Sequence, residues 1–134
     1  PQLDVVPLPH EPVEIGALTV EPVDVLHGAD RIYGYLFAHA GRTCAYLTDC
    51  KRLPPATVER VRGADVIVLG AIWDGDRTHV NHMNLTEALA LAEELDGGAT
   101  WLTHITHRMG LHTRVNARLP RGIALAHDGL RLEL

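Results

Sequence analysis

From Ile15 to Leu26 the stretch "IGALTVEPVDVL" is rich in β-branched residues and roughly alternates apolar with polar positions. That pattern predicts a strand, with Pro22 marking an edge or a bend. "RIYGYLFAHA" and "RTCAYLTD" keep the alternation on either side of Gly41 and predict a hairpin of two adjacent strands. The pattern then changes. Pro54 and Pro55 open a short helix, "PATVERVRG", because proline fits the first turn of a helix and Gly63 can close it. "ADVIVLGAI" is a continuous apolar run, as in a strand buried on both faces. Asn84 can cap a second helix, and Glu87 can reach back to complete a capping box. Its body, "LTEALALAEEL", sets Leu85, Leu89, Ala92 and Leu95 near one face, and Gly97 and Gly98 end it. "ATWLTHI" reads as a further strand. The tail "IALAHDGLRLEL" reads as a hairpin turning at Asp128-Gly129. The elements add up to an α/β (α+β) fold, a mixed sheet with two helices, in a single unit from 1 to 134 without a linker or repeat.

Composition narrows the function classes. With 134 residues, 46% of them hydrophobic, the chain can bury a core and is not disordered. No apolar run approaches the ~18 residues of a membrane span, and no leader pattern is present. The formal net charge of -5, without a basic stripe, argues against nucleic acid as the main partner. Cys44 and Cys50 form neither a CxxC pair nor a zinc-ribbon spacing, so two buried free thiols in a reducing cytoplasm are expected. The first residue, Pro1, is compatible with a removed initiator methionine or with a chain lacking its true beginning.

Nine histidines are more than a domain of this size needs. His27 ends one predicted strand, Asp49 another, and His104 a third. Polar groups at strand ends are what a site on the rim of a sheet requires, because rigid strands fix them and loops leave room for substrate. One carboxylate and two imidazoles suit a divalent transition metal, and the carboxylate has two oxygens with which to bridge. The competing reading is that each is a hydrogen-bonded loop or cap residue. Two H-x-x-H pairs, His79 with His82 and His104 with His107, fall in loops, where that spacing does not ensure convergence. His82, just before the capped helix, is well placed for an anion, since a helix N-terminus carries free N–H groups and partial positive charge.

In this order, "VDVLHGADRIYGYLF", "CAYLTDC", "THVNHMNLTEALALAEEL", "WLTHITH" and "LPRGIALAHDGLRLEL" resemble the C-terminal part of metallo-β-lactamase-fold hydrolases. The branch they resemble most is that of the phosphoribosyl cyclic phosphodiesterases. The resemblance runs from about Ile15 to Leu134 and implies one half of an αββα sandwich. It implies a site with two divalent metal ions, zinc or manganese, for which His27, Asp49 and His104 match metal ligands. His82 matches the position that contacts the substrate phosphate and can assist the leaving group, and His107 a substrate-side position. Asp49 and His82 are thus the catalytic candidates. The implied reaction is hydrolysis of a small cyclic or nucleotide-like phosphodiester by a metal-activated hydroxide.

The chain departs from the family at one point. The hallmark H-x-H-x-D-H, which supplies up to four ligands, is absent, and nothing in "PQLDVVPLPHEPVEIG" can replace it. The expectation is therefore a half-site, inactive alone, whose uncovered sheet face invites a missing N-terminal half or a homo-oligomer. The alternative is a non-catalytic half-domain that serves as a binding or assembly module completed by a partner.

Overall fold

The computed structural model describes residues 10–133. The strands are β1 (Val13–Ile15), β2 (Leu18–His27), β3 (Asp30–His39), β4 (Arg42–Leu47), β5 (Val66–Gly70), β6 (Ala99–Thr103) and β7 (Ile123–Leu125). The helices are α1 (Pro55–Val61), α2 (Leu85–Leu95) and α3 (His112–Asn116), with a 3-10 turn at His107–Met109. The strands form one sheet in sequence order. β1 to β4 are antiparallel, whereas β4 to β7 run parallel. Two reversals make β2 run in the direction of β4, so β2, β4, β5, β6 and β7 all end at one edge of the sheet.

α1 and α2 cover one face of the sheet. Val25, Leu36, Ala45, Leu47, Ile67, Leu69 and Leu102 pack there against Val58, Val61, Ala88 and Leu95. Each fully buried leucine contributes about 2 kcal/mol through apolar burial. The start of α2 is as predicted. Asn84 Oδ1 accepts the N–H of Glu87 at 2.9 Å, and Glu87 Oε2 accepts the N–H of Asn84 at 3.0 Å. Glu87 also receives Lys51 Nζ at 2.5 Å, which ties α2 to the loop after β4. Burial works against ionisation of Glu87, but Lys51 and the Asn84 N–H outweigh it and hold its pKa below the ordinary value. The opposite sheet face carries Tyr35, Phe37, Tyr46, Val68 and Trp101, aligned by the pairings Tyr35↔Tyr46, Tyr46↔Val68 and Val68↔Trp101. Tyr46 is 43% exposed, and no described element covers this face.

Three expectations need correction. The stretch from Ile15 to Leu26 is not one strand: β1 and β2 form a hairpin turning at Gly16, and of the edge or bend expected at Pro22 the edge is found, inside β2. Proline is tolerated there because β1 pairs only with residues Leu18 to Val20, which leaves β2 an edge strand beyond them. The tail is not a hairpin, although Asp128-Gly129 does turn, with Leu130 N–H bonded to the His127 carbonyl at 3.1 Å. No strand follows through Glu133, because α3 occupies the edge of β7: Asn116 Oδ1 accepts the Leu125 N–H at 2.7 Å, and His112 Nε2 meets the Leu125 carbonyl at 3.2 Å. That helix, α3, is the third, where two were expected; five residues are too few to show a helical period.

The sheet curls at Gly34. β3 pairs with β4 only from Tyr35 to His39, and the tip of the β2–β3 hairpin leaves the sheet beyond that point. Leu26 then exchanges backbone hydrogen bonds with Lys51 and Arg52, at 2.8–3.3 Å, just past Asp49. Gly34 permits this crossing, since a Cβ there would stand 2.8 Å from Leu47 Cδ2 and 2.9 Å from the Tyr46 carbonyl oxygen. Gly34→Ala is expected to destabilise the protein by about 1–3 kcal/mol in urea unfolding, the usual cost of overpacking. A variant within 0.5 kcal/mol of the parent, on the order of the scatter for surface changes, would contradict the close crossing.

Candidate metal centre

The shared sheet edge collects the chemistry. His27 is the last residue of β2, Asp49 lies two residues past β4, and His104 directly follows β6. In a flat sheet β2 and β6 would stand about 19 Å apart, four strand spacings. The curl shortens that path. His27 and His82 have ring centroids 4.7 Å apart, and His82 and His104 4.8 Å. His27 Nε2 is 3.4 Å from His82 Nε2, His104 Nε2 is 3.5 Å from Asp49 Oδ1, and His82 Nδ1 is 3.8 Å from Asp49 Oδ1.

Asp49 and His104 have left-handed backbones, with φ of 49° and 58°. For residues with a Cβ this conformation costs about 1 kcal/mol, although Asp and His tolerate it better than most. The same turn after β4 and after β6 aims both side chains over the edge, and Gly70, ending β5, lies between them. Gly28, with φ of +66°, turns the chain straight after His27, and a Cβ there would run into Asn81 Oδ1. The loop carrying His82 therefore rests on the glycine that follows His27.

The donors fit a divalent cation. Donor atoms of His27, Asp49 and His82 lie within 4.8 Å of one another. Two nitrogen ligands of one tetrahedral zinc, bonded at about 2.05 Å, stand about 3.3 Å apart. The 3.4 Å between His27 Nε2 and His82 Nε2 is close to that spacing, while Asp49 stands 3.8 Å from the other ring nitrogen of His82, Nδ1. His82 Nδ1 is buried and has no hydrogen-bond partner, which is costly unless something else satisfies it. Burial lowers the pKa of His82; His104, His27 and His79 lower it further, against an opposing pull from Asp49. A neutral imidazole keeps one ring N–H to donate as well as one lone pair to offer a metal. The side chains of Asp49 and His104 are 48% and 45% exposed, whereas His82 is 19% exposed, so the cluster opens to solvent on the Asp49–His104 side.

The four residues His27, Asp49, His82 and His104 come together, and His82 stands in the donor cluster itself. His107 does not join by direct contact: it is exposed at the first position of the 3-10 turn. His10 is exposed and bonds to the Tyr33 hydroxyl at 2.8 Å, His39 is exposed at the end of β3, and His112 and His127 form a separate pair 6.1 Å apart. Cys50 is buried, its thiol is pushed up to about 12 by desolvation, and its sulfur is not in the donor group of His27, Asp49 and His82. Cys44 is only partly buried, contrary to expectation, because it lies on the uncovered sheet face. His79 had no assigned role, yet its Nδ1 accepts the N–H groups of Asn81 and His82.

A sheet edge of this build, with a carboxylate and imidazoles at the ends of β2, β4 and β6, is that of the metallo-β-lactamase fold class. Residues 1–105 match the family described as beta-lactamase superfamily domain, and the chain belongs to that family. A crystal structure of a diphosphatase from the PhnP family is 40% identical, covers 95% of this chain, and superposes with a TM-score of 0.86; the chain spans 47% of it. The metallo-beta-lactamase fold protein YhfI from Bacillus subtilis shares the fold at 20% identity and a TM-score of 0.75, over 94% of this chain and 54% of its own. An octanoyltransferase of Porphyromonas gingivalis is 26% identical over 122 residues, which is 91% of this chain but 24% of that protein. The chain thus spans about half the length of these two solved structures and a quarter of the octanoyltransferase.

Gly28→Ala tests how the two loops meet. It is expected to cost about 1–2 kcal/mol from the left-handed backbone alone and to displace Asn81. In NMR spectra of the imidazoles, His27 and His82 should shift together. Unchanged resonances for both rings would contradict the contact.

Proposed function

We propose that the protein containing this chain is a metal-dependent hydrolase that cleaves a phosphodiester or diphosphate linkage in a small cyclic or nucleotide-like molecule. His27, Asp49 and His104 would hold two divalent ions, zinc or manganese, with His82 and His107 on the substrate side. The observation that carries this reading is the convergence of His27, Asp49, His82 and His104 at one sheet edge with separations of 3.4–3.8 Å. The 40% identity to a diphosphatase supports phosphorus as the centre attacked.

Bound divalent ions supply Lewis acidity toward phosphoryl oxygens and a water acidified toward neutral pH. Asp49 faces both His82 and His104, so one carboxylate spreads its charge across the cluster. His82 offers a ring N–H to a phosphoryl oxygen or to the leaving group, held in place by the start of α2. His107, three residues beyond His104, meets the remainder of the substrate. Without H-x-H-x-D-H, the remaining ligands come from residues outside this chain, and the chain alone binds metal weakly. Two free thiols suit a reducing cytoplasm, and among the described residues no helix is long and apolar enough to cross a membrane.

A second reading, a non-catalytic assembly module, is favoured by the uncovered aromatic face of Tyr35, Phe37, Tyr46 and Trp101. Metal content and hydrolysis of bis(p-nitrophenyl) phosphate, measured on the protein in its full encoded length and on residues 1–134 alone, separate the two. The full protein is expected to retain metal through dialysis and to hydrolyse the ester. Asp49→Asn should lower its kcat/KM by about a hundredfold or more, on the scale of losing one electrostatic stabiliser. A full protein that is inert toward phosphodiesters and diphosphates would leave only the assembly reading. An isolated chain with stoichiometric metal and full activity would refute the half-site.

A further inference from the structure

We propose that His79 is a positioning residue that holds His82 in the cluster through the lone pair of its Nδ1. The proposal rests on the hydrolase reading for the role of His82, but its geometry stands apart from that reading. His79 Nδ1 accepts the N–H of Asn81 at 3.2 Å and the N–H of His82 at 3.3 Å. An atom that accepts N–H groups cannot carry a proton, so the ring proton of His79 sits on Nε2. The two bonds fix the backbone of the residue whose imidazole enters the cluster, and of Asn81, which rests on Gly28.

The rest of the loop explains why such an anchor is needed. Between β5 and α2 the chain crosses residues 71–84, of which 74–78 are exposed. Its backbone is pinned at the base, where Ile72 N–H bonds the Met83 carbonyl and Leu85 N–H bonds the Trp73 carbonyl, at 2.9 and 2.8 Å. Inside that span the His79 ring sits between two others. It stacks on His82 at 5.0 Å and 28°, and meets Trp73 edge-on at 5.6 Å and 82°. Trp73 is itself held, its Nε1 donating to the Arg77 carbonyl at 2.8 Å. Ring packing and hydrogen-bond acceptance could each be the working contact. Acceptance is the one that fixes the backbone of His82, because an acceptor at one residue serving N–H groups two and three residues on is the geometry of an Asx turn or a helix cap.

That geometry makes the two contributions separable. Asparagine places its Oδ1 about where histidine has Nδ1 and can accept the same N–H groups, but it cannot stack. Phenylalanine stacks but cannot accept. Alanine does neither.

The test uses the protein in its full encoded length, with circular dichroism to confirm that each variant is folded. Ring-nitrogen NMR should find His79 as the Nε2–H tautomer, and the Asn81 and His82 amides should be protected from hydrogen exchange. His79→Ala and His79→Phe should lose that protection by about tenfold, the scale of one to two hydrogen bonds. His79→Asn should restore it. Where bis(p-nitrophenyl) phosphate is hydrolysed, kcat should follow the same order with KM little changed. An Nδ1–H tautomer, or an asparagine variant no better than alanine, would overturn the proposal. If the parent protein lacks hydrolysis, the hydrolase reading fails while the tautomer and exchange data still decide the role of His79.

Discussion

The backbone pairing of Leu26 with Lys51 and Arg52 is the constraint on which the site depends. Without it, β2 would end about four strand spacings from β6, beyond the reach of any pair of side chains. With it, the hairpin tip folds over the loop after β4, and His27 arrives beside Asp49 and His82. The pairing depends in turn on Gly34, where β3 crosses Tyr46 and Leu47 too closely for any side chain. The salt bridge from Lys51 to Glu87 extends the same loop to the capping box of α2, directly after the segment that carries His82. Three loops from distant parts of the chain are thereby locked to one another by hydrogen bonds that involve none of the candidate ligands.

The site is therefore built mostly by backbone and second-tier contacts, and its candidate ligands carry the strain. Asp49 and His104 hold left-handed backbones, His82 keeps a buried nitrogen unpartnered, and several imidazoles face one another. None of these arrangements stabilises a fold on its own. Together they describe donors organised around a charge, and that is the physical basis for reading the edge as a metal centre. Strain of this kind persists where the surrounding structure over-determines it.

Much of this was legible in the sequence. His27, Asp49 and His104 could be placed at strand ends because the strands were apolar and sharply bounded. The capping box was readable because Asn84 and Glu87 have the spacing that geometry requires. What escaped was whatever depends on tertiary contact. The role of Gly34 cannot be seen without knowing that Leu47 lies beneath it. The tail pattern from Ile123 to Leu134 looked like a hairpin because alternation says nothing about an edge already taken by Asn116 and His112. His79 looked like half of a weak H-x-x-H pair, when its contacts are with the backbone of its own loop.

The most direct measurement is anomalous diffraction at the zinc or manganese edge from crystals of the metal-loaded protein. An anomalous peak is expected in contact with His27, Asp49 and His104, at ligand distances of about 2.0–2.2 Å for zinc. A bound ion placed elsewhere, at His112 and His127 for instance, with the His27–Asp49–His82–His104 edge empty, would contradict it.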